Sequence, residues 1–167
     1  MNYPEFVRSR FKSGEKIAEE MTPRKLEFLD VSTKTLVRDA ESLDNVKKFA
    51  YYNKHIKYLC EGEMPQSRFD ELKPTPLQCE LLHAAIGIAG EAGELLDAVR
   101  KHVFDGQPLD GENVIEELGD LNFYFEAACQ SIGVTREEIE QENQAKLSKR
   151  YEGGYSDQQA QERKDKQ

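Results

Sequence analysis

No stretch of this chain is apolar for long enough to cross a membrane, and basic residues are in deficit. Lys and Arg number 23 against 32 Asp and Glu, a formal net charge of −9. A membrane span needs about 20 predominantly apolar residues, and a general binder of nucleic acid or of membrane surfaces needs basic patches. Both classes are therefore excluded, although a phosphate-bearing small ligand is not, because bound metal ions reverse the local sign. Cysteine is scarce: Cys60, Cys79 and Cys129 are odd in number and have no CxxC spacing. That pattern argues against a zinc site and fits reduced thiols. The opening MNYPEFVRSR lacks the apolar segment of a signal peptide, so a cytoplasmic protein is expected. The sequence has no GxxxxGK[ST] loop and no GxGxxG after a strand pattern, which removes the P-loop and dinucleotide-binding readings. No Ser-His-Asp or Cys-His set can be assembled from it. His55, His83 and His102 are isolated, and the absence of an ExxH arrangement counts against a ferritin-like di-iron bundle. Of the three, His83 falls two turns before an acidic pair, where it either borders a pocket or packs as a core residue.

Sustained period-2 alternation is missing too, and helical spacing takes its place, so the fold class is all-α. A 167-residue chain with 38% hydrophobic and 33% charged residues can bury a core beneath an ion-rich surface. A short helix is expected over Tyr3 to Phe11, and Thr22-Pro23 reads as a helix start. From about Thr35 to Cys60 the spacing of Leu36, Ala40, Leu43, Val46, Ala50, Ile56 and Leu59 approximates a helix. Gly62, Pro65 and Ser67 break it, leaving a loop over 61–74. Thr75-Pro76 repeats the start signal ahead of a helix over Leu77 to Val103. Asp105-Gly106 and Gln107-Pro108 form a turn, and Asp110 can cap a helix that stops at Gly133. Thr135-Arg136-Glu137-Glu138 is a capping-box pattern for a helix to about Tyr151. Ser156 opens a last polar helix, and the final ERKDKQ is expected to fray.

Two acidic signatures fall inside this frame: Glu91-Ala92-Gly93-Glu94 and Glu117-Leu118-Gly119-Asp120. Carboxylates three residues apart are neighbours on one helical surface. Glu91 shares a stripe with Ala84, Gly87, Ile88, Leu95 and Ala98, and Glu117 and Asp120 share one with Asn113, Val114, Leu121 and Tyr124. The four acids are thus expected to face inward, which is costly unless something positive lies between them. A hard divalent cation with oxygen ligands meets that need. The plain alternative is a solvated helix face with local ion pairs. Gly87, Gly90, Gly93 and Gly119 sharpen the metal reading, because each lowers helix propensity by about 0.5–1 kcal/mol and makes sense where backbone or ligand approaches closely.

Downstream, Asn143, Lys146 and Arg150 lie on one helical stripe. Amide, ammonium and guanidinium in line suit an anionic ligand, since Arg forks phosphate oxygens and Lys supplies a point charge. A basic face pairing with the acidic surface is the competing account. Tyr51, Tyr52 and Tyr58 read as core residues in preference to base-stacking platforms.

The segments GEAGELLDAVRK, EELGDLNFY and NQAKLSKRYEGGYS, in that order, resemble the MazG-like nucleoside triphosphate pyrophosphohydrolases of the all-α NTP pyrophosphatase superfamily. The resemblance covers about Thr75 to Asp165, and the opening MNYPEFV is similar to the start of phage-encoded members. About fifty residues separate the two Thr-Pro starts, which implies an extra N-terminal helical element. A helical extension over 1–74 packed on a core over 75–167 is therefore expected, compact overall. The resemblance implies that Glu91, Glu94, Glu117 and Asp120 hold Mg²⁺, with Mn²⁺ a possible substitute. It implies too that Asn143, Lys146, Arg150 and Tyr151 contact the substrate's phosphates or sugar, and that the chains assemble as a homodimer or homotetramer. Hydrolysis of a nucleoside triphosphate to monophosphate and pyrophosphate follows, controlling nucleotide pools in the cytoplasm (the host's, if phage-encoded). Glu94 is the choice for the group that takes the proton of the attacking water. A dUTP-, dCTP- or alarmone-specific enzyme and a non-enzymatic helical module remain as alternatives.

Overall fold

The structure is a computed structural model that describes residues 2–55, 74–151, 153–163 and 165. Among the described residues there are seven helices and no strands, and no described helix is long and apolar enough to cross a membrane. In chain order they are α1 (Tyr3–Arg10), α2 (Gly14–Glu20), α3 (Pro23–Tyr52), α4 (Pro76–Phe104), α5 (Gly111–Ile132), α6 (Arg136–Arg150) and α7 (Asp157–Glu162).

Local chemistry sets most of these boundaries. Thr75 accepts from the Gln78 amide while the Gln78 side chain accepts from the Thr75 amide, and Thr135 and Glu138 form the same reciprocal pair on α6. Asp110 caps α5, which ends at Gly133 with φ 69, a left-handed conformation that glycine adopts without strain. The largest departure from expectation is α3. The start signal at Thr22-Pro23 and the pattern beginning near Thr35 belong to one 30-residue helix, which stops at Tyr52 because Asn53 turns left-handed at φ 52. The helix expected to run on to Cys60 is therefore shorter than expected, since residues 53–55 are not helical. Residues 56–60, and all but the last residue of the expected loop over 61–74, lie outside the described residues.

The chain divides into two compact units, Glu27–Gly133 and Met1–Leu26 with Val134–Gln167. That grouping differs from the boundary expected at residue 74. In the first unit α4 and α5 form an antiparallel pair. The Tyr124 ring lies on Gly87, where an added Cβ would come within 2.3 Å of Tyr124 Cδ1. α3 runs antiparallel along α4: Ala40 meets Gly93, where a Cβ would lie 2.1 Å from that of Ala40, and Tyr51 stacks on His83 with centroids 4.3 Å apart. Gly87 and Gly93 therefore serve close helix packing. Gly119 has nothing within 4 Å and carries no such constraint.

In the second unit α1 packs against α6. Phe6 is buried, and the Tyr3 hydroxyl donates to Asn143 Oδ1 at 3.2 Å. Lys12 joins Glu20 and Asp157 at 2.5 and 3.0 Å, tying α2 to α7.

Candidate metal centre

The α4–α5 pair brings carboxylates from both helices to one place. One oxygen each from Glu91, Glu117 and Asp120 lie within 4.8 Å of one another. Glu91 and Glu117 are 8% and 5% exposed, whereas Asp120 opens to solvent. Glu94 is exposed and stands outside this trio. It lines, with Glu117, an adjoining cavity of about 470 Å³ walled by Asp44 of α3, Asp97 and Lys101 of α4 and Asn113 of α5. The expected four-acid set is thus three clustered acids with a fourth at the rim, and of the four only Glu91 and Glu117 are buried.

Burial pushes the Glu117 carboxyl up to about 7, with the charges of Glu94, Glu91, Asp120 and Glu116 adding to it. Burial also raises Glu94, helped by Glu91 and Asp44 and opposed by Lys48 and Lys47. Glu117 has no cation partner among the described residues. A buried carboxylate without a counter-charge, beside two more within a few ångströms, is a hard, anionic oxygen donor set. Its chemistry fits a divalent cation such as Mg²⁺ or Mn²⁺ and does not fit a soft metal.

A third helix enters the site, and sequence reasoning missed it. Lys47 of α3 is 3% exposed. Its Nζ lies 3.1 Å from Glu91 Oε1, 3.1 Å from Asp44 Oδ1 and 5.0 Å from the centre of the Tyr124 ring. Burial pulls the ammonium's pKa down, but hydrogen bonds to Glu91 and Asp44 outweigh it and leave it above its ordinary value. For Asp44, burial raises the carboxyl while bonds from Lys48 and Lys47 carry it below the usual range. In the sequence, Asp44, Lys47 and Lys48 look like ion pairs on a solvated helix. The available signal was the stripe Val37, Ala40, Asp44, Lys47, Tyr51, which carries two charged residues in an otherwise buried or half-buried row.

Beyond Lys47 the seam is aromatic. The Tyr52 hydroxyl lies 3.0 Å from His83 Nε2 and 3.1 Å from the Tyr124 hydroxyl. His83 borders a cavity of about 400 Å³ with Phe123 and Tyr124, and burial lowers its pKa, with the Lys47 charge adding to the effect. Tyr51 is half-buried and Tyr52 exposed, so of these two the expected core role suits Tyr51, and Tyr58 lies outside the described residues.

Asn143, Lys146, Arg150 and Tyr151 all belong to the other compact unit. There Asn143 accepts from Tyr3, and Tyr151 is buried against Tyr155. Lys146 is exposed beside a cavity of about 530 Å³ that Asn143 also lines. Arg150 forks Asp165, Nε to Oδ1 and Nη2 to Oδ2, both at 2.6 Å. That pairing holds the Asp165 carboxyl at about 2.

Helices α4 and α5 with their clustered carboxylates define an all-α protein with an acidic centre suited to a divalent cation. Residues 81–154 match the family model of the MazG nucleotide pyrophosphohydrolase domain, and over that stretch the chain is MazG-like. Neither curated proteins nor solved structures give a match.

Proposed function

We propose that the protein hydrolyses nucleoside triphosphates to nucleoside monophosphates and pyrophosphate, with Mg²⁺, or Mn²⁺ in its place, held by Glu91, Glu117 and Asp120. The observation that carries this reading is the convergence of three carboxylates from two helices inside the MazG-matched stretch. A bound divalent cation offsets the charge of the triphosphate and acidifies water.

The chain's own side chains divide the remaining work. Glu94 stands at the rim, shares a cavity with Glu117 and has a raised pKa. A carboxylate so placed takes the proton of an attacking water through an Oε atom better than an ordinary surface glutamate does. Lys47 fixes Glu91 through Oε1. Lys146 and Arg150 supply positive charge to the phosphates and Asn143 and Tyr151 flank them, as the family resemblance implies. For Arg150 this requires exchanging the Asp165 carboxylate, itself an oxyanion of matching fork geometry, for a phosphate.

The proposed setting is the cytoplasm, and the role is control of nucleotide pools. Self-assembly belongs to the same reading. Leu82 of α4 and Ile115, Leu118 and Phe123 of α5 are 56%, 72%, 52% and 66% exposed, apolar surface that association with another chain would remove from water. A homodimer or homotetramer covers it.

The test is a panel of natural ribo- and deoxyribonucleoside triphosphates incubated with Mg²⁺, scoring pyrophosphate and orthophosphate separately. Pyrophosphate with the matching monophosphate is expected, and the ranking of bases separates a general enzyme from one specific for dUTP or dCTP. Orthophosphate as the sole product overturns the reading.

A further inference from the structure

We propose that Lys47 is a standing counter-charge for the metal centre, a positioning residue that keeps the carboxylates assembled whenever the cation is away. The inference rests on the divalent-cation reading above and concerns what the site does without its ion.

Three observations carry it. Lys47 comes from α3, outside the two helices that bear the clustered acids, yet its ammonium reaches Glu91 Oε1 at 3.1 Å and is 3% exposed. It is held there from three sides: by Asp44 of its own helix at 3.1 Å, by Glu91 of α4, and by the face of Tyr124 of α5 at 5.0 Å. The Gly90 backbone of α4 lies alongside it: a Cβ there would sit 3.9 Å from Nζ, at ordinary van der Waals distance. A side chain so confined gives Glu91 one hydrogen bond, through Oε1, and leaves its second oxygen for another partner.

The charge balance sets the consequence. Glu91, Glu117 and Asp120 lie within 4.8 Å of one another, with Glu94 and Asp44 close by. Without an ion, the ammonium of Lys47 is, among the described residues, the buried positive charge beside these groups. With an ion, two more positive charges serve the same carboxylates. Lys47 and the cation therefore substitute for each other in part, and removing one raises the dependence on the other. A purely structural ion pair has no such coupling: its loss costs the same with and without metal.

The experiment is a thermal melt of wild type, Lys47→Met and Lys47→Arg, each stripped with EDTA and then measured with and without saturating Mn²⁺. Metal-free Lys47→Met is expected to melt about 5–10 °C below wild type, because breaking a buried pair leaves carboxylates uncompensated. Mn²⁺ is expected to close more than half of that gap, and calorimetry to give Mn²⁺ binding about tenfold tighter in Lys47→Met than in wild type. Lys47→Arg, which keeps the charge, is expected to show the wild-type response to Mn²⁺. A Lys47→Met variant that folds only in Mn²⁺ also supports the proposal. A gap that Mn²⁺ leaves unchanged or widens overturns it, and so does a Lys47→Met protein that stays unfolded in both buffers. A wild-type protein that does not respond to Mn²⁺ overturns the divalent-cation reading itself, and this inference with it. Response in wild type with an unchanged gap overturns only the role of Lys47.

Discussion

Replacing Glu117 with glutamine removes one negative charge from the most buried acid of the cluster while keeping its shape. The folded protein holds this carboxyl at about 7 in place of the ordinary 4.5, through burial first and then the neighbouring acids. A raised carboxyl pKa means that the unfolded chain gives up its proton first. The stability this group contributes is therefore complete below about pH 4.5 and is lost as pH rises toward 7. At about 1.4 kcal/mol per pH unit the displacement bounds the loss at about 3 kcal/mol, and sharing among coupled carboxylates brings it to about 1–3 kcal/mol. Metal-free Glu117→Gln at pH 8 is accordingly expected to be more stable than wild type by that amount, and to gain nothing from Mg²⁺. Wild type should lose metal-free stability between pH 4.5 and 7, and its stabilisation by Mg²⁺ should grow over the same window as the ligand ionises. Urea melts at pH 5 and pH 8, each with EDTA and with Mg²⁺, measure all four terms. A metal-free Glu117→Gln protein less stable than wild type at pH 8 would refute the electrostatic account of the site.

Other substitutions separate the roles of neighbouring residues. Glu91→Gln and Asp120→Asn should each lose most of the metal-dependent rise in Tm, whereas Glu94→Gln should keep that rise and still lose turnover by about 10²-fold or more; Glu94→Gln with wild-type kcat removes it as the proton acceptor. Gly93→Ala places a methyl within 2.1 Å of the Ala40 Cβ, and the overpacking should outweigh the helix-propensity gain, for a net cost of about 1–3 kcal/mol. Gly119→Ala, with open space around it, should instead stabilise by about 0.5–1 kcal/mol in the same denaturant melts. Thr135→Ala breaks the capping box of α6 and should cost about 1 kcal/mol, read as a lower urea midpoint at unchanged m.

Local chemistry was readable in advance. The Thr75 and Thr135 caps, the Asp110 cap and the Gly133 stop involve residues within four positions of one another, so the chain spells them out. The acid pairs were legible for the same reason, because three-residue spacing on a helix fixes adjacency. What spacing leaves open is the rotation of each helix about its axis. That rotation decides that Glu91 turns inward and Glu94 outward, and only packing against Ala40 and Tyr124 settles it. The stripe could mark Lys47 as inward-facing, but its pairing was illegible because its partner Glu91 lies 44 residues away. Arg150 shows the same limit: its stripe reads as a phosphate clamp, yet its guanidinium meets Asp165, fifteen residues on. The division of α3 into a start signal and a later helix failed because exposed Phe28, Val31 and Leu36 blur the apolar stripe that would have joined them.

The most direct measurement follows the phosphorus. Wild-type protein is incubated with a deoxyribonucleoside triphosphate, once with Mg²⁺ and once with EDTA, and the products are read by ³¹P NMR. The account predicts resonances of pyrophosphate and the monophosphate in equal amounts with Mg²⁺, and an unchanged triphosphate with EDTA. Orthophosphate with a diphosphate, or pyrophosphate formed as fast in EDTA as in Mg²⁺, would contradict it.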